Sequence, residues 1–325
     1  MPRRYRHSGI ALALAVTLPA FAATGAERTG LPRIGLLGWE DGDCGDSSLM
    51  AGLAEAGLRP NETVTMECRT AGGDDDGLVP AAAELVGLGV DLIVTTSQPA
   101  AMAAHQVTST VPIVAGLSGD PVAAGLARSL ARPGGNVTGV SYYATELSAK
   151  RLELLKEAVP SLETVDVLAN PVVAYLPFEE DTKRAAAQLG IRVRIRSVRK
   201  PGDLAPAFAA MQADRAQAVF VLPDLMLAYE APQIARLALA RRLPTMTWAS
   251  WFADAGCLMS YSARYDLIIR RLAYYADRIV RGAAPGDLPI EQPTEFRLSI
   301  NLPTARKIGV EIPESILLRA DNIIE

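Results

Sequence analysis

Two short polar runs, Thr96-Ser97-Gln98 and Ser118-Gly119-Asp120, each follow an apolar run and lead into a proline, Pro99 and Pro121 respectively. Hydroxyls and free N–H groups at such strand-to-helix junctions can hold a carboxylate, because the first helical turn carries unpaired donors and the positive end of the helix dipole. The competing use is plain capping by Ser97 or Gln98. Asp120 before Pro121 is first of all an N-cap, a contribution of about 1 kcal/mol, and only secondly an acceptor for a ligand ammonium. Ser118 and Gly119 are better placed for direct approach by a guest. Ser141 and Tyr142 close a third apolar run; Tyr142 either covers a ligand ring or is a surface aromatic near a hinge. Further on, Asn170 follows VDVLA and Asp224 follows AVFVLP. A carboxylate at a buried cleft edge is costly unless paired, and an ammonium is a natural partner. Trp39, Trp248, Trp251 and Tyr261 are the aromatics nearest the ends of apolar runs. Aromatics make up only 6% of the chain, so this clustering points to a ring-lined pocket, although core packing explains any one of them.

The elements that would position these residues follow from periodicity. Asp91–Thr96, Val111–Leu117 and Val137–Tyr143 are apolar and β-branched enough for buried parallel strands. Helices are expected from Pro99 and from Pro121, the latter stopped by Arg132-Pro133-Gly134-Gly135-Asn136, so that two helix N-termini face one sheet edge. Upstream, Ile34–Trp39 and Thr63–Arg69 read as strands, with an acidic loop at Asp41–Asp46 and helices near Leu49–Ala56 and Leu78–Leu88. Glu146–Val159 is an amphipathic helix with Leu147, Leu154 and Leu155 on one side and Lys150, Arg151, Glu153, Lys156 and Glu157 around it. After Pro160 the β/α alternation restarts and runs through strands at Val165–Ala169, Val193–Val198, Ala218–Leu222, Thr245–Trp248, Leu258–Tyr261 and Phe296–Ile300. The fold class is α/β, with two doubly wound Rossmann-like lobes, a hinge and a cleft between them. Lobe 1 is expected at 33–143 plus about 249–281, and lobe 2 at 144–248 plus about 282–325.

A chain of 325 residues has room for about two domains with their own cores. Residues 1–22 read as a secretory signal: Arg3, Arg4 and Arg6, the apolar run Ile10–Leu18, then Ala20-Phe21-Ala22. The apolar run is too short to cross a bilayer, and no cysteine follows it for lipid attachment. Removal of the three arginines takes the formal charge from −4 to −7, which argues against nucleic acid or an anionic membrane as partner. In an oxidising compartment Cys44 and Cys68 can pair, one following the first strand and the other lying on the second; the other reading has Cys44, Cys68 and Cys257 all as small buried residues. Their spacing matches no zinc pattern, and neither metal nor cofactor is expected. Past the signal the single histidine is His105, with no Ser-His-Asp order and no phosphate-loop glycine motif beside it. Catalysis is not expected.

Four stretches carry a resemblance: VPIVAGLSGDPVAAGLARSLARPGGNVTGVS (111–141), KRLELLKEAVP (150–160), AGCLMSYS (255–262) and the tail from Leu288 to Glu325. From about Arg33 to Glu325 the sequence resembles the substrate-binding proteins of ABC transporters, in the group that includes tryptophan- and tyrosine-type binding proteins. The resemblance implies a type I periplasmic-binding fold whose lobes close on a ligand, a periplasmic location, and an inner-membrane permease with its ATPase as partners. It also implies that Asp224 meets the amino group of the ligand. The expected function is capture of a small solute, an amino acid of aromatic or branched kind, by a soluble monomer that is not lipidated. The alternative is a sensory module that presents its ligand to a membrane receptor.

Overall fold

Leu92–Thr95 (LIVT) and Ile113–Leu117 (IVAGL) are buried at every residue, so each can only be an inner strand covered on both faces. A computed structural model of the chain describes residues 30–142, 145–171 and 176–325. The signal expected at 1–22 and Tyr143, the last residue of the third expected strand, lie outside the described residues.

Lobe 1 comprises β1 (Arg33–Gly38), α1 (Ser47–Glu55), β2 (Thr65–Thr70), α2 (Leu78–Gly87), β3 (Leu92–Thr95), α3 (Gln98–Val107), β4 (Ile113–Leu117) and β5 (Val137–Ser141). Its strands form one parallel sheet in the order β2-β1-β3-β4-β5. Lobe 2 contains α4 (Thr145–Ala158), β6 (Thr164–Ala169), α5 (Leu176–Gln188), β7 (Arg192–Ser197), α6 (Leu204–Ala213), β8 (Val219–Val221), α7 (Leu225–Tyr229), α8 (Ala231–Ala240), β9 (Thr245–Thr247), α9 (Ser250–Asp254) and β10 (Met259–Ala263). Then follow α10 (Tyr265–Val280), β11 (Phe296–Asn301), α11 (Leu302–Ile308), α12 (Glu314–Leu317) and β12 (Asn322–Ile324). The second sheet has the order β12-β11-β10-β9-β8-β6-β7, parallel except for the β10–β11 pair. The α/β, two-sheet architecture read from the sequence is the one observed.

Two expectations need correction. The helix expected from Pro121 does not form. One turn closes with Ala124 N–H on the Asp120 carbonyl and Leu126 N–H on Pro121, and Gly125, at φ +74°, then takes the left-handed turn that ends helices. Of the two helix N-termini expected from Pro99 and Pro121, that of α3 alone forms. The second correction concerns the lobe boundary. The expected return of 249–281 to lobe 1 holds for α10 alone, because β10 pairs with β9 and β11 inside the second sheet. Helix α10 buries Ile268, Ile269, Leu272, Ala273, Tyr275, Ala276 and Ile279, and a side chain at Gly52 on α1 would come 3.3 Å from the Ala273 methyl. The chain stays with lobe 1 beyond 282: Thr138 Oγ1 donates to the Leu288 carbonyl at 2.8 Å, and Ser141 N–H to that of Glu291 at 2.8 Å. It thus passes between the lobes three times: after β5, between β10 and α10, and between Glu291 and β11. Three parallel connections restrict the lobes to a hinge motion.

Cys44, in a 3₁₀ turn after β1, is bonded to Cys68 on β2. Of the two readings of the cysteines, the pairing holds, and Cys257 is free and buried. One buried apolar cluster runs continuously from lobe 1 (Leu37, Trp39, Leu85) into lobe 2 (Val221, Met226, Phe252). The lobes are therefore closed on each other.

Candidate functional site

The ends of β3, β4 and β5 bring Thr96, Ser118 and Tyr142 to one wall of a cavity of about 390 Å³ between the lobes. The loop after β1 adds Asp43 and Asp46, and α10 adds Tyr265 and Ile268. Lobe 2 supplies Arg151 from α4, Phe178 from α5, Tyr229 from α7, and Trp248 and Trp251 from the segment after β9. Tyr142 and Ser118, and Tyr265 and Thr96, share this wall. Trp251 meets Trp248 edge-on at 5.3 Å and Tyr265 at 5.5 Å. Aromatic surfaces from both lobes thus enclose a space of amino-acid size.

Charge is distributed unevenly in it. Arg151 is 5% exposed, its Nε donates to the Tyr261 carbonyl at 2.7 Å, and burial pulls its pKa down to about 10. Among the described residues no carboxylate pairs with it. A buried guanidinium without a counter-ion is costly, and it lies on the wall of the cavity. Facing it from lobe 1 are two carboxylates already in use: Asp46 caps α1 through Leu49 N–H at 2.8 Å, leaving its second oxygen, and Asp43 accepts from the backbone of Trp39 and from the Tyr229 hydroxyl. The Tyr229–Asp43 bond and the stack of Tyr229 on Trp39 at 5.2 Å tie the two lobes across the cleft.

Of the residues singled out in the sequence, Thr96, Ser118, Tyr142, Trp248 and Trp251 line this cavity. Ser97 caps α3 through Ala100 N–H, which is the plain reading. Gln98 Oε1 accepts from Gly119 N–H at 2.5 Å, Ser141 Oγ donates to the Gly119 carbonyl, and Asp120 caps its own turn through Val122 N–H. None of Ser97, Gln98, Gly119, Asp120 and Ser141 lines the cavity. Tyr261 stacks on Phe296 at 5.8 Å within the lobe 2 core; only its carbonyl serves the site, by holding Arg151. Trp39, Asn170 and Asp224 border a separate hollow, with Asp224 capping α7 through Leu227 N–H at 2.8 Å. Arg151, Phe178, Tyr229 and Tyr265 are not among the residues that sequence reasoning singles out for the site. By helical pattern Arg151 belongs to the polar side of α4; the available signal is its place within two turns of a lobe crossing, where a helix must face the cleft.

Asp224 is 4% exposed, and burial pushes its pKa up to about 6. Its folded pKa lies above the unfolded value, so its contribution favours the fold while protonated, below pH 4, and is lost as pH rises through 6. Asp224→Asn keeps the cap without the charge. It is expected to gain about 3 kcal/mol over the parent at pH 8, and little at pH 4, in urea denaturation at the two pH values.

Two hinged α/β lobes with a ring-lined cavity between them, and a buried cation on its wall that no described carboxylate pairs, define a small-solute receptor of the type I periplasmic-binding fold. The chain belongs to the ABC transporter substrate binding protein family, whose profile matches residues 44–324. It is 25% identical over 272 residues to a tyrosine-binding protein of Clostridioides difficile (strain R20291), covering 83% of this chain and 76% of the relative. Among solved structures, a conserved domain protein from Vibrio cholerae is 27% identical with a TM-score of 0.84, covering 90% of this chain and all of that one. The ABC domain from Streptococcus pneumonia in complex with L-Trp is 24% identical with a TM-score of 0.83, covering 91% of this chain and all of that one. Among the described residues no helix is long and apolar enough to cross a membrane.

Proposed function

We propose that this chain is the solute-binding component of an ABC importer and that it captures an aromatic amino acid by closure of its lobes. The observation that carries the reading is the unpaired, buried Arg151 guanidinium on the wall of a cavity lined by Tyr142, Phe178, Trp248, Trp251 and Tyr265. A ligand carboxylate neutralises Arg151, the ring packs among the aromatics, and the ammonium meets the free oxygen of Asp46 on the opposite lobe. A molecule held at both ends bridges the lobes and favours the closed form. The relatives support the choice of guest, since one is named for tyrosine and another holds L-Trp. The secretory pattern read at 1–22 supports delivery to the periplasm, where a permease and its ATPase would receive the solute.

The test is calorimetric titration of the chain without residues 1–22. L-Tyrosine, L-tryptophan or L-phenylalanine is expected to bind at least roughly a hundredfold more tightly than tyramine, which lacks the carboxylate. Equal affinity for tyramine, or binding of a sugar in place of every aromatic amino acid, would overturn the reading.

A further inference from the structure

The separate hollow, of about 590 Å³, lies across α7 from the aromatic cavity. Residues of α7 and its flanks alternate between the two spaces. Pro223, Leu225 and Ala228 border the aromatic cavity, while Asp224, Met226 and Glu230 border the hollow. Of the described residues lining either space, Tyr229 alone borders both. The hollow is rimmed by Glu40, Asp74, Arg199 and Lys200, all exposed, so it is open to solvent. At this point the Tyr229 side chain is what stands between solvent and the aromatic cavity.

Two contacts from lobe 1 hold the ring there. Its hydroxyl donates to Asp43 Oδ1, and it stacks on Trp39 with an angle of 24° between the rings. Trp39 is fixed in turn, its Nε1 donating to Asp75 Oδ1 at 2.8 Å. Core packing does not account for the ring: Tyr229 is 42% exposed, ends α7 and belongs to none of the buried apolar clusters. Its partner Asp43 is on the same turn as Asp46, and both reach the aromatic cavity. The ring therefore closes that cavity at the end where the ligand ammonium is placed.

We propose that Tyr229 is a specificity-determining partition, which ends the aromatic cavity beside the amino group and so restricts the site to free amino acids, excluding peptides extended at that group. The inference rests on the placement of ligand carboxylate and ammonium given above. The exclusion is steric, by a side chain standing where the added residue must go. With the ring cut back to a methyl, the cavity runs on into the hollow, whose volume of about 590 Å³ accommodates a further residue.

The test is calorimetric titration of the parent, Tyr229→Phe and Tyr229→Ala, each without residues 1–22, with L-tyrosine and with glycyl-L-tyrosine. The dipeptide keeps the carboxylate and the ring and adds one glycine at the amino end. The parent is expected to favour L-tyrosine by roughly a hundredfold or more, and Tyr229→Phe likewise because the ring stays; Tyr229→Ala should favour it by less than roughly tenfold. Each comparison is a ratio within one protein, so a general loss of affinity from the broken Asp43 bond cancels. Equal affinity of the parent for the two compounds, or discrimination in Tyr229→Ala as strong as in the parent, would overturn the partition. A second readout needs no ligand. In a Trp39→Phe background the two remaining tryptophans, Trp248 and Trp251, both line the aromatic cavity. Acrylamide should quench their fluorescence more steeply in Tyr229→Ala than in Tyr229→Phe, and identical quenching would overturn the partition whatever the solute. Failure of L-tyrosine to bind the parent would overturn the guest instead, and the quenching comparison then decides the partition alone.

Discussion

Arg151→Met is expected to lower the affinity for an aromatic amino acid by about a hundredfold while the unliganded protein unfolds no earlier than the parent. The two effects share one cause. In the empty cavity the guanidinium is desolvated, and the described residues offer it a carbonyl but no carboxylate. A methionine of similar length removes that burden and keeps the packing, and such replacements of buried charge are commonly neutral or stabilising. With ligand bound, the same charge meets a carboxylate in a water-poor space, where truncating one partner costs about 2–5 kcal/mol. A residue that served only to hold the Tyr261 carbonyl would show the opposite pattern, with stability lost and affinity kept. Arg151→Lys separates charge from shape, since an ammonium cannot span the carbonyl and a carboxylate with a planar fork. Its affinity should fall between the parent and the methionine variant. Paired calorimetry and thermal unfolding of the three proteins settle the point, and a methionine variant that binds normally would remove Arg151 from the site.

What the sequence made legible was what local rules control. The inner strands were readable because apolar, β-branched residues run unbroken through Leu92–Thr95 and Val137–Ser141. Ser97 had two readings in the sequence, a ligand contact and a cap, and only the folded chain shows that its hydroxyl is taken up by Ala100 N–H. The site was legible on the lobe 1 side, where Thr96, Ser118 and Tyr142 follow successive strands of one parallel sheet. On the lobe 2 side it was not. Which strand ends share a space depends on how far the lobes close, and closure through Tyr229, Trp39 and Asp43 divides the cleft so that Asn170 and Asp224 fall in a different chamber from Trp248. Arg151 was hidden for a related reason: a helical pattern assigns charges to solvent, whereas α4 packs this one against β10, where it meets the Tyr261 carbonyl. Helix α10 likewise packs on α1, more than 200 residues earlier in the chain, a pairing that no local pattern announces.

Cys44→Ser with Cys68→Ser, or reduction of the parent, is expected to cost about 3 kcal/mol of stability and to weaken ligand binding as well. The bridge spans a sequence separation of 24 residues, and closing a loop of that length removes chain entropy from the unfolded state in about that amount. Its second effect arises from where it is anchored. Cys68 lies on β2, paired in register with Leu36 of β1, while Cys44 sits between Asp43 and Asp46, the two acidic residues that reach the aromatic cavity. The turn that carries them has no buried residues of its own, so the disulfide and the backbone bonds to Asp43 are what fix it to the sheet. Once it is cut, Asp46 must be ordered by the ligand instead, and that entropy is subtracted from the binding free energy. Denaturation and calorimetry with and without reductant should therefore shift together. A midpoint that falls while affinity stays unchanged would place Asp46 outside the set of ligand contacts, and an unchanged midpoint would show that the turn is held without the bridge.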